Sequence, residues 1–259
     1  MAPRHKVPVS SNVRRHTQLP SHIMQWHEAI NRVHPYVYRI STPTGTGTGF
    51  LVAHSDAGDI FGVATAAHVV SHAHEWEQPI RLEHFASGET ITLRPDKRAI
   101  IMDSARDTAA ILFEPGTVSL PRQPPDLFEE GMIIKTGVEV GWLGFPAVSS
   151  KNLCFFSGRI SAALESDSAY LVDGVAINGV SGGPTLWLGH DSVKYIGFVS
   201  AYMANRASGE ALPGLAVVRD VTQFHDIVKR MRSLDEARAE QTATEAASEV
   251  QARQDAAPQ

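Results

Sequence analysis

The chain has 259 residues, of which 43% are hydrophobic and 20% are charged, with a formal net charge of −5 at pH 7. This balance is typical of a globular protein with a sizeable core, and it excludes collagen-like and low-complexity chains. Because a net negative chain offers no basic field to a polyanion, we expect no nucleic-acid partner.

The cysteine count and the hydropathy pattern indicate in which cellular compartment the protein is expected. Cys154 is the only cysteine, so no disulfide can form within the chain, and this favours a reducing compartment. No apolar run reaches the roughly 20 residues of a membrane span. The basic start, Met1–Lys6, is followed by polar residues instead of the apolar stretch of a signal peptide. We therefore expect a cytoplasmic protein with no membrane partner.

The first 35 residues are predicted to form a polar arm that leads into a helix. Residues 1–21 are polar and basic with scattered proline and serine. Ile23, Trp26 and Ile30 then share one face of a helical pattern, which Pro35 ends.

Two β-rich stretches follow, separated by a linker. Residues 36–115 contain short apolar runs such as Phe61–Thr65 and Ala109–Phe113, separated by turn signals. Residues 116–131 are rich in proline and lack apolar periodicity, which predicts a linker, and residues 132–218 repeat the β-rich pattern. Regular short strands without long helices between them favour an antiparallel barrel or sandwich.

The C-terminal part is predicted to contain one helix and then a tail. Val221, Phe224 and Ile227 indicate an amphipathic helix over residues 219–232. Residues 233–259 contain almost no large apolar side chain, so we predict that this last stretch is disordered or loosely helical.

Ser181 lies in a glycine-rich run, Asn178-Gly179-Val180-Ser181-Gly182-Gly183-Pro184. Glycines let backbone N–H groups approach a substrate oxygen closely and permit the positive φ angles of tight turns. We therefore interpret Ser181 as a nucleophile and the N–H groups of Gly179 and Ser181 as an oxyanion hole. An ordinary glycine-rich turn is the alternative.

His68 and Asp107 are the matching candidates for base and carboxylate. His68 follows Thr65-Ala66-Ala67 at the end of an apolar strand, where an imidazole can project into a cleft as general base. Asp107 precedes a mostly apolar run and can orient a histidine ring. Asp103, four residues earlier, is the competing carboxylate, and we favour Asp107 because the apolar run follows it directly.

Together these segments resemble the chymotrypsin-like serine proteases, most closely the disulfide-free bacterial branch that includes the HtrA-type proteases. The likeness extends over about residues 36–218 and includes Gly45–Val52, Gly141–Pro146 and Ile196–Ser200. The resemblance implies an all-β fold of two antiparallel six-stranded barrels, with an N-terminal and a C-terminal helix. The active site would lie in the cleft between the barrels.

The resemblance also implies residues for substrate binding. The base of the specificity pocket would fall near Val175, which favours a small or medium apolar side chain before the scissile bond. Asp173, close by, would favour a basic side chain if the loop is shifted, and we favour the apolar preference. Ser200 and Ala201 would lie along the substrate backbone, and Tyr202 would narrow the pocket. Catalysis by these groups implies protein or peptide substrates, with no metal or organic cofactor, and leaves the oligomeric state open.

Three other readings remain at this stage. A peptide-binding or scaffold protein could keep the same fold with little turnover. Gly179–Gly183 also satisfies the G-x-S-x-G pattern of α/β-hydrolase esterases, for which Asp220, His190 and His225 supply partner residues. His68, His72 and His74 with Glu75 suggest a metal site that lacks a clear fourth ligand. We predict a serine endopeptidase that acts through an acyl-enzyme, with His68, Asp107 and Ser181 as its triad.

Overall fold

The computed structural model describes residues 24–204 and 211–255. The predicted arm, residues 1–21, lies outside the described residues. The three α-helices of the described part are α1 (Trp26–Val33), α2 (Ala67–Glu75) and α3 (Thr222–Asp255). All sheet pairings in this part are antiparallel, apart from one isolated parallel bridge, so the predicted all-β class is confirmed.

The first β-rich stretch forms one curled sheet of seven strands in the order β5-β4-β1-β2-β3-β7-β6. Its strands are β1 (Val37–Thr42), β2 (Gly45–His54), β3 (Phe61–Ala66), β4 (Ile80–His84), β5 (Thr90–Leu93), β6 (Arg98–Asp103) and β7 (Thr108–Phe113). Strand β3, which pairs with β2 on one side and β7 on the other, is buried along its whole length. This half is therefore a curled half-barrel with two open edges. It is the first of the two predicted barrels, with seven strands instead of six.

One side chain connects the two edge strands of the half-barrel. Strands β5 and β6 are consecutive, but the Pro95–Lys97 turn between them redirects the chain. The Arg98 guanidinium then donates to the carbonyl oxygens of Leu93, Ala73 and Gln78 at 2.7, 3.0 and 2.7 Å. A side chain thus satisfies carbonyl groups at the place where a closed barrel would need strand pairing.

The second β-rich stretch is a closed barrel of six strands in the order β10-β13-β12-β11-β8-β9. Its strands are β8 (Glu139–Gly144), β9 (Cys154–Leu164), β10 (Ala169–Asp173), β11 (Pro184–Leu188), β12 (Val193–Ala204) and β13 (Ala211–Asp220). Alternate side chains fill the interior, among them Val140, Trp142, Ile160, Val172, Ile196 and Val218. Closure pairs every strand on both sides, so this half matches the prediction.

An apolar core joins the two halves. The ring of Phe50 in β2 lies 4.7 Å, centroid to centroid, from Tyr195 in β12. Phe224 of α3 completes the cluster, with its centroid 6.1 Å from Phe50 and 5.7 Å from Phe198. All four rings are fully buried. Helix α3 therefore seals the contact between the sheet and the barrel.

Helix α3 is longer than predicted. It begins at Thr222 and continues to Asp255, past the predicted end at residue 232, so the helical alternative for the last stretch applies up to Asp255. Alanine, glutamate, glutamine and arginine dominate this stretch and have high helix propensity, which the absence of large apolar residues does not reduce. Arg238 also pairs with Asp59 at 2.9 Å, so the helix contacts the first sheet beyond its apolar part. No helix within the described ranges is both long and apolar enough to cross a bilayer.

Phe224→Ala is expected to lower the free energy of unfolding by about 3–5 kcal/mol, because it leaves a cavity where three rings meet. Urea unfolding followed by tryptophan fluorescence measures this change. Leu234→Ala, also on α3 but 37% exposed, is the matched control and should cost under about 1 kcal/mol. Equal losses for the two variants would contradict the assignment of Phe224 to the shared core.

Candidate active site

Helix α2, which the sequence did not predict, positions His68. Strand β3 ends at Ala66, and the helix begins at the next residue, so the small residues before His68 mark a strand-to-helix junction. The N–H groups of Ala67 and His68 donate to the backbone oxygen and to Oδ1 of Asp107, both at 3.0 Å. The imidazole is about half exposed and lines an open cleft.

Asp107 meets His68 from the turn before β7. His68 Nδ1 lies 2.9 Å from Oδ2 and 3.0 Å from Oδ1 of this carboxylate. The Ser200 hydroxyl donates to Oδ2 at 2.6 Å. Asp107 has a φ of 52°, a left-handed conformation that is uncommon for a residue with a side chain. The competing carboxylate, Asp103, instead accepts from Arg106 and Gln223.

The surroundings keep Asp107 ionised. Burial raises the pKa of its carboxyl, but hydrogen bonds from the His68 ring, the Ser200 hydroxyl and the His68 backbone outweigh burial and hold that pKa below its usual value. An ionised carboxylate can only accept hydrogen bonds. His68 Nδ1 must therefore carry a proton, which leaves Nε2 of a neutral ring free to accept one.

Ser181 lies in a turn whose shape requires glycine at two positions. Gly179 and Gly182 have φ angles of 90° and 82°. A Cβ on Gly179 would lie 2.3 Å from the Phe145 oxygen, and one on Gly182 would lie 2.1 Å from the Thr48 oxygen. Both the backbone angle and the close approach exclude a side chain at either position.

The N–H groups of Gly179 and Ser181 are available to a ligand. The oxygen of Asn178 accepts from Ala147 at 2.7 Å, and the oxygen of Val180 accepts from Gly183 at 2.9 Å. Because the C=O and N–H of a trans peptide point in opposite directions, the N–H groups that follow these carbonyls point away from those contacts. Within residues 24–204 and 211–255, neither N–H finds an acceptor.

One cleft of about 300 Å³ contains all three predicted catalytic side chains. Its lining consists of His68, Asp107, Ala176, Ile177, Asn178, Ser181, Val199, Ser200 and Ala201. The Ser181 hydroxyl lies 3.5 Å from the Ser200 oxygen, at the floor of this cleft. Side chains more than 110 residues apart in sequence thus share one solvent-accessible space.

The predicted substrate-binding residues are only partly placed in this cleft. Ser200 and Ala201 line it, whereas Val175 is 43% exposed and does not. The next two residues, Ala176 and Ile177, line it instead, because the turn after β10 decides which side chains face inward. Tyr202 pairs with Ala216 through its backbone, and its side chain lies outside the described part. Only nearness to Ser181 in sequence could have indicated Ala176 and Ile177.

The structure also bears on the two other chemistries. His190 pairs with Asp191, and His225 contacts the Phe128 oxygen, so neither approaches Ser181. A strand, not a helix, follows Ser181, and this contradicts an α/β-hydrolase fold. The His72 ring stacks on Trp76. Among the described residues, no group of three or more His, Cys, Asp or Glu side chains could hold a metal.

Comparison with solved structures identifies the fold. The chain is similar to a serine-to-alanine mutant of Rv3671c from M. tuberculosis H37Rv in its inactive form, at 21% identity and a TM-score of 0.54, covering 79% of this chain and 90% of that one. It is similar to Deg5, at 18% identity and a TM-score of 0.57, covering 77% and 90%. It is also similar to the serine endoprotease from Yersinia pestis, at 17% identity and a TM-score of 0.59, covering 83% of this chain and 68% of that one. These likenesses show the chymotrypsin-like double-barrel fold.

Sequence comparison identifies the family. No curated protein matches the sequence closely enough to count as a relative. The profile of the trypsin-like peptidase domain matches residues 47–188, which is more than half of the chain and includes His68, Asp107 and Ser181. The chain therefore belongs to the trypsin-like peptidase domain family and is a serine-type endopeptidase that acts on proteins or peptides.

Proposed function

We propose that the chain hydrolyses peptide bonds through an acyl-enzyme formed on Ser181. The observation that supports this most directly is the Asp107–His68 contact at 2.9 Å in the cleft that also contains the Ser181 hydroxyl. His68 Nε2 takes the hydroxyl proton as the Ser181 oxygen attacks the carbonyl carbon, and then returns it to the leaving amine. Water attacks the acyl-enzyme by the same route, which releases the acid and frees Ser181.

Asp107 and the two free N–H groups would stabilise the charges that develop. The carboxylate holds Nδ1–H and favours the imidazolium that forms when His68 accepts the proton. The N–H groups of Gly179 and Ser181, unoccupied within the described chain, would donate to the oxygen of the tetrahedral intermediate. No metal is needed for this route, since the backbone supplies the electrophilic stabilisation.

The cleft favours a small or medium uncharged side chain before the scissile bond. Ala176, Ile177, Val199 and Ala201 contribute apolar or short side chains, and a volume of about 300 Å³ is modest. Asp173, the residue that would favour a basic side chain, lies at the end of β10 and does not line the cleft. A peptide library with cleavage sites read by mass spectrometry would report this preference.

Ser181→Ala is expected to abolish both peptidase activity and covalent labelling by a fluorophosphonate probe, because the attacking oxygen is lost. The matched control is Ser248→Ala, which removes an exposed hydroxyl on α3 and should leave both readouts unchanged. Continued labelling of the Ser181→Ala protein would refute the nucleophile. A folded wild-type chain that never labels would favour the scaffold alternative.

Asp107→Asn is expected to lower kcat by about 10³–10⁴-fold, because an amide cannot hold the same tautomer of His68. Asp103→Asn is the matched control: it changes the neighbouring carboxylate, which does not contact His68, and should alter kcat by less than about threefold. Steady-state kinetics with a chromogenic peptide measures both. Similar losses in the two variants would argue against Asp107 as the orienting group.

Ser200→Ala is expected to weaken the pH dependence of stability that Asp107 contributes. Since the pKa of Asp107 is lower in the folded protein, its contribution is present above the unfolded pKa and is lost as pH falls through the folded one. Removing the Ser200 hydroxyl raises the folded pKa toward its ordinary value. As pH falls from 6 to 3, the wild type therefore loses more stability than the variant. The difference between their unfolding free energies, measured by urea titration, should shrink over this range. A gap that stays constant over that range would contradict this linkage.

A further inference from the structure

The hydroxyl of Thr48 connects the first sheet to the turn that carries Ser181. Thr48 lies in β2 and is fully buried. Its Oγ1 lies 2.8 Å from the oxygen of Gly179 and 3.0 Å from the nitrogen of Phe145. Both partners belong to the second half of the chain, so one side chain of the sheet bridges two backbone segments of the barrel half.

The chemistry of the two partners fixes the role of this hydroxyl. The Gly179 carbonyl can only accept, and the Phe145 N–H can only donate. Oγ1 therefore gives its single proton to Gly179 and accepts from Phe145. In a buried site each of these backbone groups needs a partner, and removing the hydroxyl would leave a carbonyl and an N–H unpaired.

The backbone of Thr48 also forms two hydrogen bonds. Its N–H donates to the oxygen of Ser181 at 2.8 Å. Its carbonyl oxygen accepts from the Thr65 hydroxyl at 2.7 Å. Thr48 thus contacts the peptide groups that follow Gly179 and Ser181, the two residues proposed as oxyanion donors.

These contacts control where the N–H of Gly179 points. The peptide before Gly179 is held through the Asn178 oxygen by Ala147, and the peptide after it is held through the Gly179 oxygen by Thr48. Glycine has no Cβ to restrict its backbone, so a residue with a φ of 90° can rotate readily when either contact is lost. A rotation here would turn the donor N–H out of the cleft.

We infer that Thr48 is a positioning residue for the oxyanion hole: its hydroxyl holds Gly179 in the conformation that directs the donor N–H at the substrate. This inference rests on the proposed function of Ser181 and the two N–H groups. It adds a role for a side chain that touches neither the substrate nor the three catalytic groups. It also makes the hole dependent on contact between the two halves.

The test compares Thr48→Val, which keeps the shape and removes the hydroxyl, with Thr48→Ser, which keeps the hydroxyl. Loss of an oxyanion donor costs about 10²–10³-fold in kcat, and we expect a loss of about 10–100-fold for Thr48→Val with an amide substrate. KM should change by less than about threefold, because the donors act on the transition state. Thr48→Ser should restore kcat to within about threefold of wild type.

Affinity for a peptidyl aldehyde gives a second readout. The aldehyde forms a tetrahedral adduct with Ser181 whose oxygen occupies the oxyanion site, so its affinity should fall by about the same factor as kcat. A loss of packing alone would not produce this parallel. Thr185→Val is the matched control, since Thr185 is also fully buried and its hydroxyl has no partner within the described residues. Its kcat should match wild type.

Two outcomes would overturn the inference: a folded Thr48→Val protein with wild-type kcat, or equal losses for the Val and Ser variants. If Thr48→Val does not unfold cooperatively, Thr48→Ala removes the same hydroxyl with less strain and is judged by the same criteria. Wild-type labelling by a fluorophosphonate separates this test from the proposed function. A wild type that labels while Thr48→Val keeps full activity refutes only the role of Thr48.

Discussion

The carboxylate of Asp107 is the interaction on which the proposed site depends. It accepts hydrogen bonds from the first turn of α2, the His68 ring and the Ser200 hydroxyl, so one ionised group contacts both helix α2 and strand β12. Its position at the start of a helix is favourable, because the N-terminal end of a helix carries partial positive charge. The backbone of Asp107 adopts a left-handed conformation, which is strained for a residue with a side chain. Such strain persists where several surrounding contacts hold the residue in place.

The two halves contribute different parts of the chemistry. The first sheet carries the histidine and the carboxylate, and the barrel half carries the serine with its free N–H groups. Neither half contains a complete site, so the buried rings around Phe50 and the Thr48 hydrogen bonds determine the relative position of the reacting groups. Packing that looks purely structural therefore sets the geometry on which hydrolysis would depend.

Local patterns allowed much of this to be predicted. Strands were visible as short apolar runs, and Asp107 was preferred to Asp103 because of the buried strand after it. Features set by contacts between distant residues were not visible, such as the hydrogen bonds from the Arg98 side chain to the backbone oxygens of Ala73 and Gln78. Helix α2 was missed because Ala66 and Ala67 suit a tight turn as well as a helix start. Val175 does not line the cleft whereas Ala176 and Ile177 do, and sequence alone does not show which side chains of a turn face inward.

The ring cluster that includes Phe50 and Phe224 links positions 174 residues apart in sequence. A polypeptide leaves the ribosome from its N-terminus, so the apolar face around Phe50 stays uncovered until Phe224 has also been synthesised. Contacts between residues so far apart in sequence slow folding, and apolar surface is exposed to other molecules until they form. The nascent chain therefore exposes this apolar face for as long as α3 is missing.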